Sequence, residues 1–183
     1  MIHANELLDR ISSFSSESFA GEIFRATRMN LDPIAPSSCG GRWAPRNGCP
    51  VLYSSLLPEG ALAEIAFHWG MLSPLPSKPV KLHRLRAQAK ETLRLLRSDF
   101  SALGIDPARY DGTNYARTQE IGAALAFLGY DGLIAPSARW DCDNLMIFTD
   151  NLADPARIEL IDSEEIDWQA WARSHGLLSD APA

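Results

Sequence analysis

The chain lacks most of the features that would take it out of the ordinary globular class. Its three cysteines, Cys39, Cys49 and Cys142, form no C-x-x-C pair. An odd number without secretory context reads as free thiols in a reducing compartment, which excludes a disulfide framework. No stretch reaches the run of about 18 apolar residues that a membrane-spanning helix needs. The start, Met1-Ile2-His3-Ala4-Asn5-Glu6, has neither the basic residues nor the apolar run of a signal peptide. A soluble cytoplasmic protein with no membrane partner is therefore expected. Basic charge is also scarce: 17 Lys and Arg face 23 Asp and Glu, a net charge of −6. Such a balance gives no general attraction for nucleic acid, so no direct nucleic-acid partner is expected. Lysine is nearly absent, at Lys78, Lys81 and Lys90 only, so the cations are mostly Arg, the side chain suited to bidentate phosphate contacts.

The familiar chemical motifs are missing as well. There is no phosphate-cradling G-x-x-x-x-G-K-[ST], no G-x-G-x-x-G after a strand, no H-E-x-x-H and no G-x-S-x-G. His3, His68, His83 and His175 have no zinc-ligand spacing, so no metal is expected. Asp141-Cys142-Asp143-Asn144 suits a plain turn before a strand better than a hard-cation site.

What is present is one core's worth of sequence, 183 residues with 46% apolar content, read as a single domain over 1–183. Asn5 to Ile11 reads as a capped amphipathic helix ending in the turn Ser12 to Ser16, and Glu22 to Arg28 as a strand with Ile23 and Arg25 on one face. Met29 to Pro50, with four Pro and three Gly, suits a functional loop over a cleft. Val51 to Ser55 reads as a strand, and Pro58 opens a helix through Trp69, with Leu62, Ile65 and Trp69 as its apolar stripe. Ala61, Glu64 and His68 form the neighbouring stripe, where Glu64 faces across a small residue. Ser73 to Pro79 is a loop and Val80 to Leu85 a strand, while residues 86–97 fit neither period. Ser98 to Gly104 reads as a short helix, Asn114 to Leu128 as the strongest helix, and Gly132 to Pro136 as a buried strand. Asn144 to Phe148 and Arg157 to Ile161 supply two more strands, and Glu164 to Ser174 a closing helix stopped by Gly176. Strands early and late with helices between them favour an α+β fold.

Five polar residues stand at the edges of these apolar segments: Arg25, Arg42, Tyr53, Glu64 and Ser137. Each has a purely structural reading, as an ion-pair partner, a satisfied core hydroxyl, a solvated carboxylate beside His68 or a turn former. As a group, with their local sequence, they carry a resemblance. The stretches are F-R-A-T-R (Phe24 to Arg28), G-G-R-W (Gly40 to Trp43), P-V-L-Y-S-S (Pro50 to Ser55), A-L-A-E-I-A-F-H (Ala61 to His68), T-Q-E-I-G (Thr118 to Gly122), Y-D-G-L-I-A-P-S-A-R (Tyr130 to Arg139) and N-L-M-I-F (Asn144 to Phe148).

In this order and spacing, over about residues 20–150, they resemble the RES-domain toxins, with a closing strand and helix over 157–176. The resemblance implies an ADP-ribosyltransferase-like fold, a pair of small sheets enclosing an NAD cleft with flanking helices. It implies Arg25, Tyr53, Glu64 and Ser137 as the catalytic set, with Arg42 as a further substrate-binding residue. NAD would be the substrate, with no separate cofactor, and a helix-turn-helix (Xre-like) antitoxin would block the cleft. One departure is visible: after G-G-R-W such chains commonly continue with Asn-Pro and a Gly, whereas this one has Ala44-Pro45-Arg46-Asn47-Gly48.

The chemistry of the residues agrees. The nicotinamide of NAD leaves its ribose as a neutral base, so no general acid is needed, unlike ordinary glycoside hydrolysis with its two carboxylates. Glu64 suffices to stabilise the oxocarbenium-like charge, hydrogen-bond ribose hydroxyls and orient the acceptor. Arg25 and Arg42 suit a phosphate clamp, Tyr53 a ring face or ribose contact, and Ser137 a hydrogen bond holding Glu64 or a ribose hydroxyl. The expected activity is cleavage of the nicotinamide–ribose bond by hydrolysis or phosphorolysis, arresting growth. The alternatives are transfer of ADP-ribose to a protein and a non-catalytic nucleotide- or partner-binding module.

Overall fold

Six strands and four α-helices are found among residues 4–37, 39–153 and 157–179, which the computed structural model describes. The strands are β1 (Ser16–Arg28), β2 (Val51–Ser55), β3 (Val80–Arg94), β4 (Gly132–Pro136), β5 (Asp143–Phe148) and β6 (Ile158–Ile166). The helices are α1 (Asn5–Ser12), α2 (Pro58–Gly70), α3 (Ala116–Phe127) and α4 (Trp168–Ser174). The fold is α+β, as expected.

The sheet runs β1-β2-β5-β4-β3-β6 and closes on itself because β1 also pairs with β3. It has two three-stranded halves, β1-β3-β6 and β2-β5-β4. One seam is the antiparallel pair Phe24 and Ser55 between β1 and β2; the other is the parallel pairing of Thr92 to Arg94 with Gly132 to Ile134. The two small sheets are thus hydrogen-bonded into one.

Alternation along β5 explains how both faces are filled. Leu145 and Ile147 point between the halves, where they meet Ile23, Leu52, Leu85 and Ile134. Met146 and Phe148 point outward under Ile11 of α1 and Ile121 and Leu125 of α3. A strand buried on both faces reads as an unbroken apolar run, which is why N-L-M-I-F looks as it does. On the other half, Ala61, Leu62 and Ala66 of α2 pack with Trp168 and Ala172 of α4 over Val80 and Leu82 of β3. Each fully buried Leu or Ile in these layers contributes about 1.5–3 kcal/mol relative to an exposed one.

Several elements differ from expectation. β1 begins at Ser16 rather than Glu22, because β3 runs unbroken through the ambiguous segment to Arg94 and offers partners as far as Leu93. The short helix expected over Ser98 to Gly104 is two 3-10 turns, Arg97–Asp99 and Ser101–Leu103, ended by Gly104 at φ +73°. The closing helix starts at Trp168, not Glu164. β6 continues to Ile166 along β3, and Asp167 then caps α4 by accepting from the Gln169 and Ala170 amides. Ladder hydrogen bonds there outweigh the helical composition of Glu164-Glu165.

Candidate functional site

Glu64 reaches the site because α2 lies unusually close to β2. Gly60 sits so tightly against Ser55 Oγ and Cys142 Sγ that a Cβ there would collide with both. Ala61 and Leu62 pack the same turn onto Phe24 and Ala26 of β1. This carries Glu64, half-buried, over the loop end of the β4–β5 hairpin. Ser137 follows β4 and Asn144 lies in β5 opposite Ala135, so the hairpin presents both polar side chains together. Ser137 Oγ donates to Glu64 Oε1 at 3.2 Å, and Asn144 Nδ2 donates to the same oxygen at 3.0 Å. Because the Arg139 amide donates to Ser137 Oγ at 3.1 Å, the hydroxyl proton is turned toward the carboxylate. Among the described residues both donors go to Oε1, and Oε2 receives none. Asn144 Oδ1 is buried without a hydrogen-bond partner.

An open pocket of about 830 Å³ adjoins this cluster, lined by Arg97, Ser137, Arg139, Trp140 and Cys142 among others. The volume lies in the range of small-molecule sites. His68, one helical turn beyond Glu64, is pushed below the usual imidazole range by burial; Glu64 opposes the shift, while Arg139 and Arg42 add to it. Burial also raises the Cys142 thiol, which contacts Ser55 Oγ at 3.2 Å, so this cysteine is a packed thiol rather than a nucleophile.

Tyr53 precedes Ser55 by two residues and shares its face of β2. Its hydroxyl accepts from the Trp43 amide at 3.3 Å, and burial raises its pKa well above the ordinary phenol value. Gly41 lies against the same ring: a Cβ would stand 2.7 Å from the hydroxyl. Tyr53 therefore holds the G-G-R-W turn.

The rest of that turn docks on α3, which explains T-Q-E-I-G. Thr118 Oγ1 donates to the Arg42 carbonyl at 2.6 Å and Gln119 Nε2 to the Gly41 carbonyl at 2.9 Å. Gly122 leaves room for the Trp43 carbonyl, where any Cβ would collide. The Arg42 guanidinium lies 4.6 Å from the ring centroids of both Tyr110 and Tyr115 and donates to the Tyr110 and Gly112 carbonyls at 2.5 and 3.2 Å. The departure at Ala44 to Gly48 closes as a local turn: Gly41 donates to Ala44, Gly48 donates to Pro45, and Asn47 takes φ +60°.

Arg25 stands apart. Alternation sends Phe24 and Ala26 under α2 and Ile23 between the sheet halves, so Arg25 takes the face of Ile23 and Thr27. Its Nη1 donates to the Pro33 and Ala35 carbonyls at 2.9 and 2.7 Å, and burial lowers its pKa. Among the described residues it shares no hydrogen bond with the Glu64 cluster. The geometry thus joins Glu64 with Ser137, sets Tyr53 and Arg42 on the adjoining G-G-R-W turn, and gives Arg25 to the 29–37 loop.

A second, more apolar pocket of about 560 Å³ lies at the far end of α2, lined by Trp69, Leu72, Pro76 and Pro79 with Arg28 and Lys78. It contains none of the five candidate residues and no carboxylate, whereas the larger pocket is lined by Ser137. Asn144, Arg139 and Tyr110 are the cluster members that sequence reasoning passed over. Asn144 and Arg139 stand inside the quoted stretches N-L-M-I-F and P-S-A-R; nothing local marks Tyr110.

Among curated proteins nothing matches. A solved structure, the crystal structure of the M. tuberculosis MbcT–MbcA toxin–antitoxin complex, contains a chain that superposes with a TM-score of 0.81 at 19% identity, covering 93% of this chain and 97% of that one. At that identity the likeness establishes the fold. The family model described as the RES domain matches residues 9–169, nearly the whole of the described fold from α1 to the start of α4, and on that match the chain belongs to the RES domain family.

Proposed function

We propose that this chain is the toxin of a toxin–antitoxin pair and acts by cleaving the nicotinamide–ribose bond of NAD. One observation carries the reading: a carboxylate held through one oxygen by Asn144 and by Ser137, which itself lines a pocket of about 830 Å³, with its other oxygen unclaimed by a hydrogen-bond donor among the described residues. The bond between ribose C1′ and the pyridinium nitrogen breaks with its electron pair going to nitrogen, so nicotinamide leaves neutral. Positive charge develops on C1′ and the ring oxygen, and a preorganised carboxylate opposite it lowers the barrier. Water or inorganic phosphate then bonds to C1′; a proton shed by the attacking group passes through Glu64 to solvent. Ser137 and Asn144 position that carboxylate. Arg42 supplies positive potential near the cleft, while Tyr53 and Arg25 shape its walls through the G-G-R-W turn and the 29–37 loop.

The RES domain match and the fold shared with a chain of a toxin–antitoxin complex support the toxin role. An antitoxin that covers the Glu64 cluster would restrain it. Among the described residues no helix is long and apolar enough to cross a membrane. The test is induced expression of wild type and of Glu64→Gln in a bacterial host, following growth and total NAD over the first tens of minutes. NAD is expected to fall and growth to stop with wild type only. Arrest with steady NAD would overturn depletion in favour of ADP-ribose transfer to a protein, and no arrest would favour a binding module.

A further inference from the structure

The pocket of about 560 Å³ at the far end of α2 has no part in the mechanism above and shares no lining residue with the larger one. Three segments wall it: the turn from Arg28 to Leu31, the end of α2 with Trp69 and Leu72, and the loop from Pro76 to Pro79 before β3. Each wall is held by the chain's own contacts. The Leu31 amide donates to the Arg28 carbonyl at 3.1 Å, and the Leu72 amide to the Trp69 carbonyl at 3.1 Å. The Pro76 carbonyl accepts from Trp168 Nε1 and from Gln169 Nε2 of α4, each at 3.0 Å. Trp69 stands edge-on to Trp168 with 5.4 Å between ring centroids, and the fixed φ of Pro76 and Pro79 stiffens the third wall. The cavity is therefore preformed, as small-molecule sites usually are, and its volume lies in their range.

Its lining states the chemistry of an occupant. Met29, Leu31, Trp69, Leu72, Pro76 and Pro79 make an apolar surface. Leu31 and Leu72 are 47% and 49% exposed, so a ligand seated there removes apolar area from water. The charges in the lining are Arg28 and Lys78, with no carboxylate among them. Among the described residues neither cation is in an ion pair, whereas Arg84, Arg94 and Arg97 all are. In a chain of net charge −6, a cavity whose only charges are positive selects its ligand by sign. We propose that this pocket binds a small arene carboxylate, its ring against Trp69 and Leu72 and its carboxylate met by Arg28 and Lys78.

Titration of the full chain with cinnamate, followed residue by residue through backbone amide shifts in NMR spectra, both locates and measures binding without needing turnover. Cinnamamide, the same body without the charge, is the control. Saturable shifts are expected at Leu31, Leu72, Ser77 and Lys78, with cinnamate bound about fivefold more tightly than the amide and that advantage shrinking as salt is raised. The double variant Arg28→Gln, Lys78→Gln changes two exposed side chains and should keep the thermal midpoint within about 2 °C of wild type. It should weaken cinnamate about fivefold and leave cinnamamide unchanged. Leu72→Glu, which sets a carboxylate in the apolar lining, should weaken cinnamate more than cinnamamide. Equal binding of acid and amide, unchanged cinnamate affinity in the folded double variant, or no saturable shift at these residues would overturn the proposal. So would shifts confined to Ser137 and Asn144, which would put the ligand at the Glu64 cluster.

Discussion

The G-G-R-W turn on α3 and the Glu64 cluster on the β4–β5 hairpin carry sequence stretches of equal prominence, yet they are different kinds of object. In the first, every polar group is spent on another part of the chain: Thr118 and Gln119 on carbonyls of the turn, Tyr53 on the Trp43 amide, Arg42 on two carbonyls and two rings. In the second, polar capacity is left over, at Glu64 Oε2, Asn144 Oδ1 and two nitrogens of Arg139. A joint whose hydrogen bonds close on themselves builds architecture; a cluster that leaves buried donors and acceptors unpaired keeps polar capacity in reserve, as the proposed reaction at Glu64 requires.

Substitutions should separate the two. The largest effect is expected at Gly122→Val, where a side chain meets the Trp43 carbonyl; a loss above about 3 kcal/mol would lower the thermal midpoint by roughly 10 °C, read by calorimetry. Glu64→Gln should do the opposite, leaving the midpoint within about 2 °C while slowing nicotinamide release about 10²–10⁴-fold. Ser137→Ala and Asn144→Ala release the carboxylate from its supports and should each cost about ten- to a hundredfold in kcat, with Ser137→Thr restoring part of it. An Arg25→Ala variant loses two hydrogen bonds to the 29–37 loop, about 1–3 kcal/mol, and should speed amide exchange in that loop; a pure kcat loss with unchanged exchange would place Arg25 in the cleft instead.

The smallest effect is on pH dependence. Burial lowers the pKa of His68 and, with the Arg25 charge adding to it, of His83. Below their ordinary value of about 6.5 the unfolded chain binds protons that the folded chain refuses, so stability rises with pH there. The contribution is complete above that value and is lost as pH falls toward the folded pKa values. His68→Gln should flatten part of this slope in urea titrations between about pH 5 and 7.

Legibility in the sequence followed the range of the interactions. β2 and β4 were readable because Val51 to Ser55 and Gly132 to Pro136 are short apolar runs between turn signals, and Pro58 announced α2. The continuation of β3 past Leu85 was not: Arg86, Gln88 and Lys90 alternate with Ala87 and Ala89, residues of weak strand preference held by pairing with β1. β6 was cut short for the same reason, its outer residues Asp162 to Glu165 being chosen by partners on β3 some 80 positions away. Glu64 and Ser137 were recognisable from their stretches. The hydrogen bond from Asn144, 80 residues from Glu64, and the unpaired nitrogens of Arg139 depend on how α2 seats against the hairpin, which no local pattern encodes.

The central claim is that Glu64, held through one oxygen, cleaves the nicotinamide–ribose bond. The most direct test is nicotinamide release from NAD by the purified chain and its Glu64→Gln variant, in buffer with and without inorganic phosphate. The account predicts release by wild type and a loss of at least about 100-fold in the variant at an unchanged thermal midpoint. Wild type that leaves NAD intact, or a variant that works at the wild-type rate, would contradict it.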